Sequence, residues 1–256
     1  MNSKSAVVRD FAIEEIPGEL QSANFLRQLP ECSALEESEP AFDYCFSYSR
    51  TGLILASRTD RRDAGVGADF LSPALLRRLR QPLQPQLLGK ALGLKRQSRP
   101  KVLDATAGLG IDALLMAAAG CQVTAIERSS IVFALLEDAW FRAIQVDGET
   151  AGYARNMALM HGDFLNLDRQ VKRYDVVYLD PMFPQARRKA QAKKAMALLQ
   201  QILPVEQDEK RLLNQARELA SRRVVVKRGR RSPPLAASEP SIQFKGSSNR
   251  FDVYLL

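Results

Sequence analysis

The stretch Val102-Leu103-Asp104-Ala105-Thr106-Ala107-Gly108-Leu109-Gly110-Ile111-Asp112 decides the fold. Its apolar start reads as a buried strand, its Gly-x-Gly as a tight turn, and the residues after it as the first turn of a helix. Glycines at such a turn let backbone N–H groups and a helix N-terminus approach a ligand closely. Gly108-Leu109-Gly110-Ile111-Asp112-Ala113 also fits the pattern G-x-G-x-x-[GA] that opens a dinucleotide-binding unit. Glu127 follows nineteen residues after Gly108, about where such units place the acid that accepts from ribose hydroxyls. A surface acid paired with Arg128 is the other reading of Glu127.

The turn alone does not separate NAD from S-adenosylmethionine. Asp104 tilts the choice. A carboxylate at the strand end can face a cationic amino-acid moiety, whereas a pyrophosphate is repelled there.

Downstream, the pattern alternates. Strands are expected over Lys101–Asp104, Gln122–Glu127, Tyr174–Leu179 and Arg223–Lys227. Helices are expected over Asp112–Ala119, from the cap Ser129 or Ser130 to Ile144, over Gln185–Leu203 with a basic face, and over Glu206–Ser221. Asp147–Gly152 reads as a loop, and the segment up to His161 fits helix or strand. Ser241–Lys245 and Phe251–Leu255 read as a terminal hairpin. The fold class is therefore α/β: a Rossmann-like, mostly parallel sheet covered on both faces, with ligands expected at the carboxyl ends of its strands.

Upstream, residues 1–40 read as an acidic segment with short helices. Phe42–Tyr48 and Leu53–Ala56 read as a hairpin, and Arg58–Asp69 as a basic loop. Ser72-Pro73 opens a helix through about Arg80, and Gln86–Leu92 is a short helix ended by Gly93. The expected division is an N-terminal α+β extension, 1–99, and a core domain, 100–256.

Composition is that of a globular protein, 46% hydrophobic and 26% charged. The N-terminus has no apolar run, so no signal peptide is expected, and no stretch is apolar enough to span a membrane. Scattered Cys32, Cys45 and Cys121 suit a reducing cytoplasm, and with a single histidine a metal site is not expected. The net charge of +8 is unevenly spread: −6 over residues 1–49, +8 over 50–100, −4 over 101–186, +10 over 187–231 and zero beyond. Two basic blocks flanking an acidic core point to a polyanion, most simply nucleic acid, or else to solvated helix faces.

Asp180-Pro181-Met182-Phe183-Pro184 is the most specific chemical motif. It leaves an apolar strand at the same edge as the glycine turn. Proline fixes the backbone, aiming the Asp180 carboxylate and the Pro181 carbonyl at one point. Both are acceptors, suited to the two hydrogens of an amine, and Phe183 can stack on a planar base. Asp163, after His161-Gly162, suits an adenine amino group or a simple turn, and His161 reads as structural. Lys227 and Arg228 leave a strand at the same edge and can reach phosphate.

With these residues in view, the chain resembles the class I S-adenosylmethionine-dependent methyltransferases, and more closely the bacterial RsmJ family. Members of that family methylate the N2 amine of a guanosine in 16S ribosomal RNA. The resemblance rests on Asp-Ala-Thr-Ala-Gly-Leu-Gly at 104–110, Tyr-Leu-Asp-Pro-Met-Phe-Pro at 178–184, Val-Val-Val-Lys-Arg at 224–228 and Arg250-Phe251-Asp252-Val253-Tyr254. The chain departs from that family at Asp60-Arg61-Arg62, where the family carries His-Arg-Arg. The resemblance implies a cofactor site made by Asp104, Ala105, Thr106, Ala107, Gly108, Gly110, Asp112, Glu127, Arg128, Asp163 and Asp180. Asp180, Pro181 and Phe183 become the catalytic group. Arg58, Arg61, Arg62, Arg187, Arg188, Lys189, Lys193, Lys194, Lys227 and Arg228 become the RNA contacts. The implied substrate is 16S rRNA or the small ribosomal subunit. A methyltransferase acting on DNA or other RNA, or a non-catalytic RNA-binding protein, uses the same motifs.

Overall fold

The computed structural model describes residues 11–13, 32–34, 44–57, 65–97, 99–168, 174–181 and 208–256. Strands β1 (Phe11–Ile13), β2 (Cys32–Ala34), β3 (Tyr44–Ser49) and β4 (Gly52–Ser57) form a small sheet in the order β2-β1-β3-β4. Helices α1 (Pro73–Leu79) and α2 (Leu87–Leu92) follow. The alternating part then runs β5 (Lys101–Asp104), α3 (Ile111–Ala118), β6 (Gln122–Glu127), α4 (Ser130–Gln145), α5 (Glu149–Arg155), β7 (Met157–His161) and β8 (Tyr174–Leu179). It ends with α6 (Glu209–Leu219), β9 (Ala220–Gly229), β10 (Ile242–Lys245) and β11 (Asn249–Leu255).

The large sheet has the order β10-β11-β9-β8-β5-β6-β7. Pairings from β9 through β7 are parallel, and β11 is antiparallel to both its neighbours. The expected parallel sheet with a reversed terminal hairpin is therefore observed. Chain order reverses at β5: β6 and β7 lie to one side, β8 and β9 to the other. A crevice opens at the carboxyl ends of strands at such a switch point.

Alternation along the strands divides the core. Val102, Val176, Tyr178, Val225 and Val253 pack with α1, α2 and α3 through Leu75, Leu88, Leu114 and Met116. Leu103, Val177, Leu179, Val224 and Val226 pack on the other face against Leu212, Leu213 and Ala216 of α6. Burial on both faces explains why these strands read as unbroken apolar runs. Phe70 and the buried side of α2 belong to the first cluster, so residues 68–92 share one core with the large sheet.

The described parts of 1–40 are strands, not the expected short helices. A parallel partner on each side of β1 supplies the ladder that its three residues could not signal alone. Glu149–Arg155 is a helix, not a loop, and Met157–His161 is a strand. Gly148 turns the chain into that helix at φ +112, and Ala151 and Ala154 bury its inner side. The helix expected over Gln185–Leu203 lies outside the described residues. Ser72 precedes Pro73 with extended backbone but caps through its carbonyl, which accepts from the Leu76 N–H, rather than through its hydroxyl.

The small sheet docks on α4 through one buried acid. Asp138, 1% exposed, accepts from the Leu53 N–H at 3.0 Å and from Arg142 Nε at 2.8 Å. Arg142 also donates to the Ala68 carbonyl at 2.7 Å. Asp138→Ala leaves a half-buried guanidinium and a buried N–H without this acceptor, and is expected to cost about 3 kcal/mol in urea unfolding. A loss below about 1 kcal/mol would show that the contact carries no weight.

Candidate active site at the carboxyl edge of the sheet

The register builds the site. Asp104 of β5 pairs with Tyr178 of β8, and Leu179 pairs with Val226 of β9. Asp180 and Lys227 are the next residues of that row. Lys227 Nζ donates to Asp180 Oδ2 and to Asp112 Oδ2, each at 2.7 Å. The buried Tyr178 hydroxyl donates to the same Asp112 oxygen at 2.7 Å. Arg78 of α1 approaches Asp112 Oδ1 at 3.8 Å.

The two sequence motifs are joined through their backbones. The Asp180 N–H donates to Thr106 Oγ1 at 2.7 Å, and the Ala105 N–H to the Tyr178 carbonyl at 3.0 Å. The turn is tied to β6 by Glu127, whose carboxylate accepts from the Gly108 N–H at 2.9 Å and the Ser129 N–H at 2.8 Å. The Arg128 N–H also bears on this carboxylate, which has lone pairs left for a hydroxyl.

Charge at this edge is unbalanced. Asp104 is 1% exposed and accepts a single long bond, 3.3 Å, from the Thr106 N–H among its described contacts. Burial, and then the neighbouring Asp112 and Asp180 carboxylates, push its pKa well above the ordinary carboxylate value. Burial likewise raises Glu127, against the opposing N–H groups of Ser129 and Gly108. Asp112 lies below the ordinary value, because Lys227, Tyr178 and Arg78 together outweigh its burial. For Lys227, burial is outweighed by Asp180 and Asp112, and the ammonium is held above its ordinary range. Asp112 and Asp180 thus share the half-buried Lys227 ammonium, and the buried Asp104 stands beside them.

The two glycines divide the work. Gly110 has φ +76, and a Cβ there would meet Leu136 Cδ1 at 2.3 Å, so the helix start is pressed onto the core. Gly108 has φ +54, and a Cβ there would meet nothing within 4 Å among the described residues. The turn therefore faces open space, flanked by the buried carboxylates Asp104 and Glu127. That arrangement fits a ligand with a cationic amino-acid end and a ribose.

Of the expected site residues, Asp104 to Gly108, Gly110, Asp112, Glu127, Asp180 and the buried Pro181 are brought to this edge. Asp163 is half-buried and accepts from the Leu165 N–H at 2.8 Å, opening a short helical turn. Arg128 is exposed, and His161 lies against Phe133 with ring centroids 5.2 Å apart. Phe183, Arg58, Arg61, Arg62, Arg187, Arg188, Lys189, Lys193 and Lys194 lie outside the described residues.

Two expectations need correction. Arg228 is 5% exposed and donates to the Pro233 carbonyl at 3.0 Å, so it faces inward and is no phosphate contact. Lys227 is engaged by Asp112 and Asp180, and its place is inside the site, not on an RNA-facing surface. Adjacent strand residues point to opposite faces, so the pair could not both reach the substrate side. Tyr178 was not anticipated. Its signal is a hydroxyl two residues before Asp180, within the apolar run Val176–Leu179.

Strand order, the reversed β11 and the acid-plus-glycine turn after the central strand define a class I methyltransferase that uses S-adenosylmethionine. A family model described as that of a SAM-dependent methyltransferase matches residues 29–256. The small-subunit ribosomal RNA methyltransferase J of Pseudoalteromonas atlantica is 44% identical over 215 residues, 81% of this chain and 83% of that protein. Its namesake from Colwellia psychrerythraea is 39% identical over 87% of this chain and 82% of its own. A crystal structure of a SAM-dependent methyltransferase from Neisseria gonorrhoeae superposes with a TM-score of 0.74 at 32% identity, covering 96% of this chain and 95% of that one. The chain belongs to the ribosomal RNA small subunit methyltransferase J family.

Proposed function

We propose that this chain transfers a methyl group from S-adenosylmethionine to the exocyclic N2 amine of a guanosine in 16S ribosomal RNA. The names of its relatives support the rRNA substrate. The observation that carries the chemistry is the junction of Asp180-Pro181 with the glycine turn at one strand edge, through Thr106 and Tyr178. The cofactor supplies an already activated methyl group, so the chain's task is positioning.

Asp104 takes the amino-acid end of the cofactor, the backbone at Gly108 its approach, and Glu127 its ribose hydroxyls. Asp180 and the Pro181 carbonyl accept the two amine hydrogens and orient the nitrogen lone pair. The proton lost after transfer goes to Asp180 or water. A base in structured RNA must first leave its stack, and Phe183 replaces the lost stacking. Arg58, Arg61, Arg62, Arg187, Arg188, Lys189, Lys193 and Lys194 supply phosphate contacts. Residues 100–256 carry the catalytic groups, and 1–99 form an extension whose residues 68–92 share the core of that domain. The reaction takes place in the cytoplasm, and no helix of the described residues is long and apolar enough to cross a membrane.

The test uses methyl-labelled S-adenosylmethionine with naked 16S rRNA, and with small subunits lacking the modification. Label recovered as N2-methylguanosine is expected. Absence of label from every RNA, or label on another atom, overturns the reading.

A further inference from the structure

The motif Arg250-Phe251-Asp252 plays no part in the site above, yet it is expensively built. Arg250 is 4% exposed and Asp252 fully buried. Their side chains form a forked pair, Nε to Oδ1 at 2.7 Å and Nη2 to Oδ2 at 2.9 Å. The remaining guanidinium nitrogen, Nη1, donates to the carbonyls of Gly229, Arg230 and Ser232 at 3.1, 3.0 and 2.6 Å. A buried guanidinium is tolerated only when its donors are met. Those three acceptors run from Gly229, the last residue of β9, into the surface loop that follows it.

That loop is held from other sides too. Arg228 binds the Pro233 carbonyl and lies 3.5 Å from Glu209, which accepts from the Ala236 N–H at 2.7 Å. The Arg230 N–H donates to the Ser248 carbonyl at 3.1 Å. Ala236 and Ala237 keep φ of +54 and +51, a strained conformation for alanine that persists where the surroundings over-determine it. The loop displays Arg230 and Arg231, both exposed. Arg230 stands three residues beyond Lys227, which binds Asp180, so the loop begins roughly 10 Å along the strand direction from the acceptor group.

We propose that the loop of residues 230–236 is a preorganised phosphate-binding site for the RNA strand that carries the target base. Arg230 and Arg231 make the contacts, and Arg250 is the residue that positions them. The inference rests on RNA being the substrate. Arginine forks match phosphate oxygens in pairs, and a loop already fixed loses little freedom on binding. A strand with one base at Asp180 brings its flanking phosphates over this loop.

The test compares the parent with Arg230→Ala/Arg231→Ala, in equilibrium binding to 16S rRNA over a range of salt and in methyl transfer. The double variant is expected to weaken RNA binding and raise the KM for RNA about tenfold or more, with the Kd for S-adenosylmethionine unmoved. Its log–log salt slope should fall by roughly 1–2, the loss of one or two phosphate contacts. Arg230→Lys/Arg231→Lys keeps the charges and should restore the slope. Arg250→Lys, checked for a parental unfolding midpoint, should weaken RNA binding with the slope partly kept. RNA affinity and salt slope unchanged in the double alanine variant would overturn the inference while the parent still transfers methyl. A parent that binds no 16S rRNA overturns both this inference and the functional reading beneath it.

Discussion

Asp180→Ala is expected to bind S-adenosylmethionine as the parent does and to lose methyl transfer by roughly 10²–10³-fold, the scale for removing one preorganised partner of a reacting group. The cofactor contacts proposed for Asp104, Gly108 and Glu127 do not pass through this side chain. Its backbone N–H, which holds Thr106, survives the substitution. Lys227 keeps Asp112 as a partner at 2.7 Å, so the ammonium is not stranded in a buried place. What disappears is the acceptor for the amine hydrogen. Stopped-flow or quench measurement of a single turnover at saturating cofactor reads this loss directly. Turnover within about tenfold of the parent would remove Asp180 from the chemistry.

Lys227→Met belongs to the same argument. Asp180 then keeps its carboxylate but loses the ammonium that fixes its orientation. A hydrogen bond to a charged group contributes about 1.5–3 kcal/mol, so transfer should slow by roughly 10–150-fold. An effect as large as that of Asp180→Ala would mean that Lys227 itself touches the reacting groups.

The extent to which this site could be read from sequence follows from side-chain alternation. Val176, Tyr178 and Asp180 fall on one face of an apolar run, and Asp104 on the matching face of β5, so the meeting of the two motifs is implied by strand direction. The bounds Lys101–Asp104, Gln122–Glu127 and Tyr174–Leu179 coincide with the expected ones, because doubly buried strands are continuous apolar runs ended by polar residues. Lys227 and Arg228 show where that logic stops. Alternation says that one of them faces the site, and only the pairing register of β9 on β8 says which. The β9 strand also extends well beyond the expected Arg223–Lys227, since Arg228 and Gly229 pair with Arg250 and Asn249 of β11 and Ala220 pairs with Tyr174 of β8. Helix α5 was hidden for a different reason. Its buried side consists of Ala151 and Ala154 only, and Gly152, at mid-helix, lowers helix propensity by about 1 kcal/mol relative to alanine.

The imbalance of charge at Asp104 leads to the second large effect. Asp104→Asn is expected to weaken S-adenosylmethionine binding by roughly 10–150-fold, the worth of a hydrogen bond to a charged group, and to leave the cofactor-free protein at least as stable as the parent. The two results have one cause. In the free protein a buried carboxylate sits beside Asp112 and Asp180, which is why its pKa is raised. A raised folded-state pKa means that the folded protein holds this proton where the unfolded chain has lost it. The stability contributed by protonation is complete below the ordinary carboxylate value and is lost as pH rises through the raised one. Cofactor binding runs in the opposite sense. A cationic ligand favours the ionised carboxylate, so affinity is full above the raised pKa and declines as pH falls through it. Titration calorimetry across that range should show proton release on binding in the parent and a nearly pH-independent, weak affinity in Asp104→Asn. Parental affinity in the variant, or loss of stability without the cofactor, would show that Asp104 supports the turn and does not face the donor.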